Sequence, residues 1–162
     1  MAQSKPPQAR DGARGSAVGP VVFAYDGSEL AALAIEEAAG QLAAGRDALV
    51  VCVWQPANVG FEPTGDARFD ANDAKQVCSA AEQTAAHGAS LANGAGFCAH
   101  SLAVEAAPTW KGIAKVADEH GASLIVLGSH KRSGIARGLL GSVAGAVVSH
   151  AERSVLVVRQ RA

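Results

Sequence analysis

The stretch PVVFAYDGS, residues 20–28, joins an apolar run to a tight polar turn. The run is typical of a buried strand, and Asp-Gly-Ser is the turn chemistry that leads from a strand into a helix. Beyond the turn, apolar residues recur every three or four positions. This spacing predicts a helix from Glu29 to about Gly45, for which Ser28 is a suitable N-cap.

The same alternation continues along the chain. Further strands are predicted at residues 47–54, 97–104, 123–127 and 154–159, and further helices at 69–93, after Pro108 and from Ser142 onward. Ile113 is expected on the apolar face of the helix after Pro108, and Val147 and Val148 in the apolar stripe of the last helix. Five strands separated by four helical segments predict an α/β fold, an open five-stranded parallel sheet with helices on both faces. Ligands of such sheets bind outside the carboxyl ends of the strands, near the point where strand order reverses. The functional site is therefore expected among Asp26, Trp54, Glu105 and Gly128, which occupy those ends.

Composition is that of a single globular domain. Of the 162 residues, 49% are hydrophobic and 18% are charged, which allows one substantial core without metals or disulfides. Residues 1–19 are expected to form a flexible tail, residues 20–160 the domain, and residues 55–69 a long loop. Cys52 and Cys98 fall in strand-like runs and are expected to be buried, reduced thiols.

Charge and hydropathy limit the classes of partner. The net charge of -1 gives no overall field that favours nucleic acid or an anionic membrane. No apolar stretch approaches the roughly 18 residues that suggest a membrane span, and the N-terminal segment lacks the apolar centre of a secretory signal. A cytoplasmic protein without nucleic-acid or membrane partners is expected.

The segment GSHKRSGIARGLLGS, residues 128–142, has the composition of a phosphate-binding loop. It is rich in glycine, carries Lys131, Arg132 and Arg137, and has no acidic residue. Ser142 opens the last predicted helix, whose unpaired N–H groups and positive dipole end attract anions. A solvated turn with a serine cap is the alternative. Neither G-x-G-x-x-G after the first strand nor G-x-x-x-x-G-K-S/T occurs, which disfavours ordinary dinucleotide oxidoreductases and P-loop NTPases.

Two further residues are candidates by position. Asp26 could accept hydrogen bonds from a ribose hydroxyl or an adenine amino group, or it could form an Asx-turn that leads into the helix. His130 lies in the glycine-rich segment, where it could contact a phosphate or the base. No arrangement of nucleophile, base and acid is evident, so no catalytic residue is assigned.

These ordered features resemble the universal stress protein family over residues 20–159. The resemblance rests on YDGS at 25–28, VCVW at 51–54, and the segment 128–142 leading into SVLVV at 154–158. It implies a Rossmann-like fold of the adenine nucleotide alpha hydrolase type. It also implies an ATP-binding regulatory module of the stress response, with Mg²⁺ accompanying the nucleotide.

ATP-binding members of that family carry the pattern G-x2-G-x9-G-S/T. Gly128 matches its first glycine and Gly141 and Ser142 match its end, whereas Lys131 stands at the second glycine. The resemblance implies that the glycines leave room for phosphates and that the final serine contacts them. The other positions that it implies for the nucleotide site are Asp26 and the backbone at Val53 beside the adenosine, with Ser129, His130 and Val143 lining the site.

Lys131 admits two physical outcomes. Where the position needs a positive φ or a close backbone approach, a lysine costs about 1 kcal/mol or more and obstructs the phosphates. Where the backbone is ordinary, the ammonium adds a point charge beside the triphosphate and strengthens binding. The remaining residues of the pattern favour retained ATP binding.

The resemblance further implies a homodimer formed through the terminal strand, Val155–Val158, acting as a nucleotide-dependent switch. An apolar strand near the chain end independently invites pairing with a second copy. Three other functions stay open: a nucleotide-free dimeric interaction module, a flavin or other phosphorylated-cofactor protein, and a slow ATPase. Hydrolysis needs a positioned water and a base, which no sequence feature assigns.

Overall fold

A computed structural model describes residues 18–55, 71–129 and 140–159 of the protein. Its elements alternate in the order β1 (Val21–Ala24), α1 (Glu29–Ala39), β2 (Asp47–Trp54), α2 (Ala71–Gly94), β3 (Cys98–Glu105), α3 (Thr109–Glu119), β4 (Leu124–Ser129), α4 (Ser142–His150) and β5 (Ser154–Arg159). The predicted alternation of strands and helices is confirmed. His130 and Lys131 lie outside the described residues, as do the predicted tail up to residue 17 and the predicted loop beyond residue 55.

The five strands form one parallel sheet in the order β3-β2-β1-β4-β5. β1 is central and pairs with β2 on one side and β4 on the other, through Val21 opposite both Ala48 and Leu124. The chain builds outward from β1 to β3, then crosses the sheet to place β4 and β5. Strand order therefore reverses between β1 and β4, while β3 and β5 are the edges.

Successive side chains of β1 enter two different cores. Val21 and Phe23 pack against α1 and α2, whereas Val22 packs with residues of α3 and α4. All three are essentially excluded from solvent. Because a parallel strand buried on both faces needs apolar residues at consecutive positions, the run VVFA is what this central position requires. The predicted helices on both faces are confirmed.

Arg46 connects three strands at the end of the sheet where the strands begin. Its guanidinium donates hydrogen bonds to the carbonyl of Gly19 at 3.0 Å and to the hydroxyl of Ser123 at 2.6 Å. The Ser123 hydroxyl in turn donates to the Gly19 carbonyl at 2.8 Å. These bonds connect the starts of β1, β2 and β4. The carboxyl ends of the same three strands lie near the switch point, the place between β1 and β4 where strand order reverses.

Gly88 determines how closely α2 approaches the sheet. A Cβ at this position would lie 2.7 Å from both Cδ1 of Tyr25 and Cγ1 of Val50, closer than carbon atoms pack. Tyr25 is 4% exposed and directly follows β1. The bare backbone of Gly88 therefore leaves the space in which the Tyr25 ring lies.

Three details differ from the sequence predictions. α1 ends at Ala39, because Gly40 stops the helix, and Leu42 reaches the core from the following turn. On α4, Val148 was predicted in the apolar stripe but is 47% exposed, since Ala144 and Val147 form the buried face. Cys98 is exposed because it begins an edge strand, whereas Cys52 is buried as predicted.

We expect Gly88→Ala to lower the free energy of unfolding by about 1–3 kcal/mol through overpacking, even though alanine favours helix. Gly94→Ala is the matched control in the same helix, because a Cβ there meets no atom within 4 Å. Urea denaturation of the two variants makes the comparison. Equal stabilities of Gly88→Ala and Gly94→Ala would contradict the packing role.

Candidate functional site

A cavity of about 320 Å³ opens at the carboxyl ends of the strands, where the strand order reverses. Its walls come from the ends of β1, β2 and β4 and from the first turns of α1, α3 and α4. Seven of the nine residues predicted for the site line it: Asp26, Val53, Gly128, Ser129, Gly141, Ser142 and Val143. The other two, His130 and Lys131, lie outside the described residues.

One part of the cavity, the apolar half, is lined by Val51 and Val53 of β2, Ile113 of α3 and Leu127 of β4. Val51, Ile113 and Leu127 belong to one hydrophobic cluster, against which Val53 packs. Burial of this kind suits a flat, largely apolar ring more than a free phosphate. Ile113 was predicted only as part of the buried face of its helix, because spacing along a helix does not reveal which buried residue borders a cavity.

Thr109 is a lining residue that the sequence did not indicate. Its Oγ1 accepts a hydrogen bond of 3.0 Å from Nε2 of Gln55, which joins the end of β2 to the first turn of α3. The two residues are 54 positions apart in the chain. Only the position of β2 beside α3 brings them together, so no local pattern could have predicted the pair.

Asp26 forms the turn that was predicted as its structural role, and it also lines the cavity. Its Oδ1 accepts the N–H of Ser28 at 3.0 Å, and the Ser28 hydroxyl accepts the N–H of Ala31 at 3.2 Å as the N-cap of α1. The second carboxylate oxygen, Oδ2, has no hydrogen-bond donor among the described residues. One oxygen thus holds the turn while the other is available to a ligand.

Asp26 acts on two ionisable side chains near it. Burial, reinforced by the negative charge of Asp26, raises the pKa of the Tyr25 hydroxyl and of the Cys52 thiol. Both side chains therefore stay neutral at neutral pH. Asp26 is also the one acidic residue among the described residues that line the cavity.

Gly128 has a packing role that does not depend on a ligand. A Cβ at this position would lie 2.7 Å from Cγ of Leu30 and 2.8 Å from the Leu30 carbonyl oxygen. The absence of a side chain therefore lets α1 approach β4. A glycine that matches a phosphate-binding pattern is required here by the contact between a helix and a strand.

The start of α4 is held by Ser129. The hydroxyl of Ser129, which is 4% exposed, accepts the N–H of Gly141 at 3.0 Å. Gly141 is the N-cap residue of α4 and makes no side-chain capping bond. The N–H groups of the next three residues precede the first intrahelical bond, so they remain available at the positive end of the helix dipole. These residues, Ser142, Val143 and Ala144, line the cavity.

The described residues contain no group of three or more His, Cys, Asp or Glu side chains arranged to hold a metal ion. None of the helices in this part of the chain combines the length and the apolar composition that a membrane-spanning helix needs.

Solved structures share this architecture. The structure of the hypothetical protein MJ0577 has a TM-score of 0.71 at 21% identity, with 89% of this chain and 97% of that chain covered. A universal stress protein in complex with cAMP has a TM-score of 0.63 at 26% identity, covering 90% of this chain and 100% of that chain. The universal stress protein from Archaeoglobus fulgidus in complex with dAMP has a TM-score of 0.53 at 27% identity, with 86% and 96% covered.

No curated protein matches the chain. The family model described as "Universal stress protein family" matches residues 18–159, which include every described residue. The parallel sheet shared with the solved structures and the match to the family model indicate the same family. The chain belongs to the universal stress protein family.

Proposed function

We propose that this protein is an ATP-binding regulatory module of the cellular stress response, whose shape or partner affinity changes with nucleotide occupancy. The observation that carries the proposal is the cavity at the switch point, which has an apolar half and is also lined by the first residues of α4, whose N–H groups have no intrahelical acceptor. An adenine nucleotide has the same division, since its base is largely apolar and its phosphates are anionic. The two halves of the cavity fit the two halves of the ligand.

The adenosine would lie in the apolar half. Val51, Val53 and Ile113 offer surfaces against which the base would be buried. The Asp26 carboxylate has a free oxygen at the same edge and would accept a hydrogen bond from a ribose hydroxyl. The backbone of Val53 at the end of β2 would face the edge of the base.

The phosphates would lie at the start of α4. Backbone N–H groups and the helix dipole favour an anion there, and Ser142 adds a hydroxyl. Within the adjoining segment, His130 and Lys131 are proposed from the sequence to add contacts. Because Asp26 is the one acidic residue among the described residues of the lining, Mg²⁺ would be held mainly by the phosphates that it accompanies and would neutralise part of their charge.

Relatives support an adenine nucleotide as the class of ligand. The universal stress proteins solved with cAMP and with dAMP both hold an adenine base and a single phosphate. They cover at least 86% of this chain. ATP rather than a monophosphate is proposed for this chain because its sequence retains the first glycine and the glycine-serine end of the ATP-binding pattern.

A regulatory role is favoured over ATP hydrolysis. Hydrolysis requires a group that orients or deprotonates a water molecule near the last phosphate. Asp26 is the one carboxylate among the described lining residues, and one of its oxygens is bound to the turn before α1. It lies beside the apolar half, where the proposal places the ribose. A nucleotide-free interaction module is the alternative, and direct binding of Mg-ATP to the protein would exclude it.

The proposed homodimer would form through β5. This strand is an edge of the sheet, and Val155, Leu156 and Val157 are only half buried. An apolar edge with unpaired backbone groups pairs readily with another chain. β3, the other edge, is more polar and exposes His100 and Ser101.

We expect the wild-type protein to bind Mg-ATP and Asp26→Asn to bind it roughly 10-fold more weakly or worse, because the ribose loses a charged acceptor. Asparagine retains an oxygen that can accept the N–H of Ser28, so the loss of ATP affinity reflects the loss of charge more than a change in folding. Asp47→Asn, at the far end of β2, is the matched control. Isothermal titration calorimetry gives the affinities, and mass spectrometry of the denatured protein shows whether nucleotide copurifies. No copurified nucleotide and no heat with millimolar Mg-ATP would refute the proposed function.

Two variants test Lys131: methionine removes the charge and keeps most of the bulk, whereas glycine removes both. Since we propose that binding is retained with the ammonium near the phosphates, Lys131→Met and Lys131→Gly should both weaken ATP binding by a few-fold, more at low salt. Adenosine affinity should not change. Titrations at two salt concentrations make the comparison. Tighter ATP binding by Lys131→Gly would instead show that the lysine obstructs the phosphates.

We expect the wild-type protein to sediment as a dimer and Val157→Lys to shift it towards monomer, because a lysine on an edge strand opposes strand pairing. Ser101→Lys places the same charge on the opposite edge and should leave the dimer intact. Sedimentation velocity over a concentration series measures the change, and circular dichroism verifies folding. A monomeric wild type, or equal effects of the two lysines, would rule out this interface.

A further inference from the structure

One buried hydroxyl connects the end of β4 to the start of α4. Ser129 is the last residue of β4 and the one buried polar or charged side chain among the described residues. Its Oγ accepts the Gly141 N–H at 3.0 Å, closing a span of 12 positions. Both residues line the cavity. The bond therefore spans the two attachment points of the segment between them, on the wall where the phosphates are proposed to bind.

Two of the three helices that line the cavity, α1 and α4, are capped in different ways. Ser28 caps α1 from within its own turn, because its hydroxyl accepts the N–H of Ala31. The N-cap residue of α4 is Gly141, which has no side-chain oxygen to accept an N–H of the first turn. Ser129 reaches α4 from the neighbouring strand and takes only the N–H of Gly141. The N–H groups that follow keep their capacity for a ligand.

We propose that Ser129 is a positioning residue for the phosphates, a role that rests on the proposed nucleotide function. Its hydroxyl fixes the first turn of α4 relative to β4, so that the N–H groups of Ser142 and Val143 are held in place before a ligand arrives. The hydroxyl itself contacts Gly141 and not the nucleotide. Donors fixed in advance bind an anion more tightly than donors that must first be ordered.

This role makes a prediction that depends on the phosphates. Ser129→Ala frees the Gly141 N–H and loosens the start of α4, so ATP affinity should fall roughly five- to tenfold, the effect of losing about one hydrogen bond. Adenosine lacks phosphates and should bind within about twofold of wild type. Ser129→Cys, which keeps the volume but is a weak acceptor, should behave like alanine. Ser129→Thr retains the hydroxyl and should keep the wild-type ratio of ATP to adenosine affinity.

The control is Ser123→Ala, at the other end of β4. Ser123 also makes hydrogen bonds through its hydroxyl, which are partly buried, but it lies at the far end of the strand from the cavity. It should lose stability without changing the ratio of ATP to adenosine affinity. Amide hydrogen exchange in the ligand-free protein provides a second measurement, in which Gly141 should exchange faster in Ser129→Ala than in Ser123→Ala or the wild type.

The outcomes separate the two proposals. A wild type that binds neither ATP nor adenosine would overturn the nucleotide function and the role of Ser129 with it. A wild type that binds both, with equal losses for ATP and adenosine in Ser129→Ala, would overturn the role of Ser129 alone. A selective loss of ATP affinity with faster exchange at Gly141 would establish it.

Discussion

The parallel pairing of β1 with both β2 and β4 is the constraint on which the structure depends. A strand with neighbours on both sides and helices on both faces admits no polar side chain, and Val21, Val22 and Phe23 are accordingly buried almost completely. The chain leaves β1 into α1 on one face, whereas β4 leads towards α4 on the other. Because the segments after β1 and β4 go to opposite faces of the sheet, a space is left between them, and this space is the cavity.

Close backbone approach gives the cavity its walls. Gly88 lets α2 come near Tyr25, and Gly128 lets α1 come near β4. Both contacts fit a chain in which only 4% of residues are aromatic, because small residues allow helices to lie close to a sheet. Gly128 matters most for interpretation, since α1 requires a glycine there whether or not a nucleotide binds. The evidence for phosphate binding therefore comes from the start of α4 more than from the first glycine of the pattern.

The sequence predicted the features that depend on neighbouring residues. β2, β5 and the start of α4 lie where apolar runs and turn residues placed them, and a site at the carboxyl ends of the strands follows from the β-α alternation. Of the strand-end residues expected there, Asp26 and Gly128 line the cavity, whereas Trp54 and Glu105 do not. It did not predict that Cys98 is exposed, because nothing local shows that β3 is an edge. The contact between Thr109 and Gln55 was equally hidden, since it joins residues 54 positions apart. The roles of Asp26 and Val53 towards a ligand remain predictions.

In the proposed site the base and the phosphates bind to different parts of the cavity, and this separation helps to explain how ATP could bind without the second glycine of the pattern. In the proposed site, the phosphates are held largely by backbone N–H groups at the start of α4, and those donors do not depend on the side chain at position 131. Their placement depends on the bond between Ser129 and Gly141, and both residues are present. Lysine at position 131 removes none of these donors. Its effect is then limited to the space and charge that it adds and to the backbone conformation of that one position, which is why we propose that ATP binding is retained.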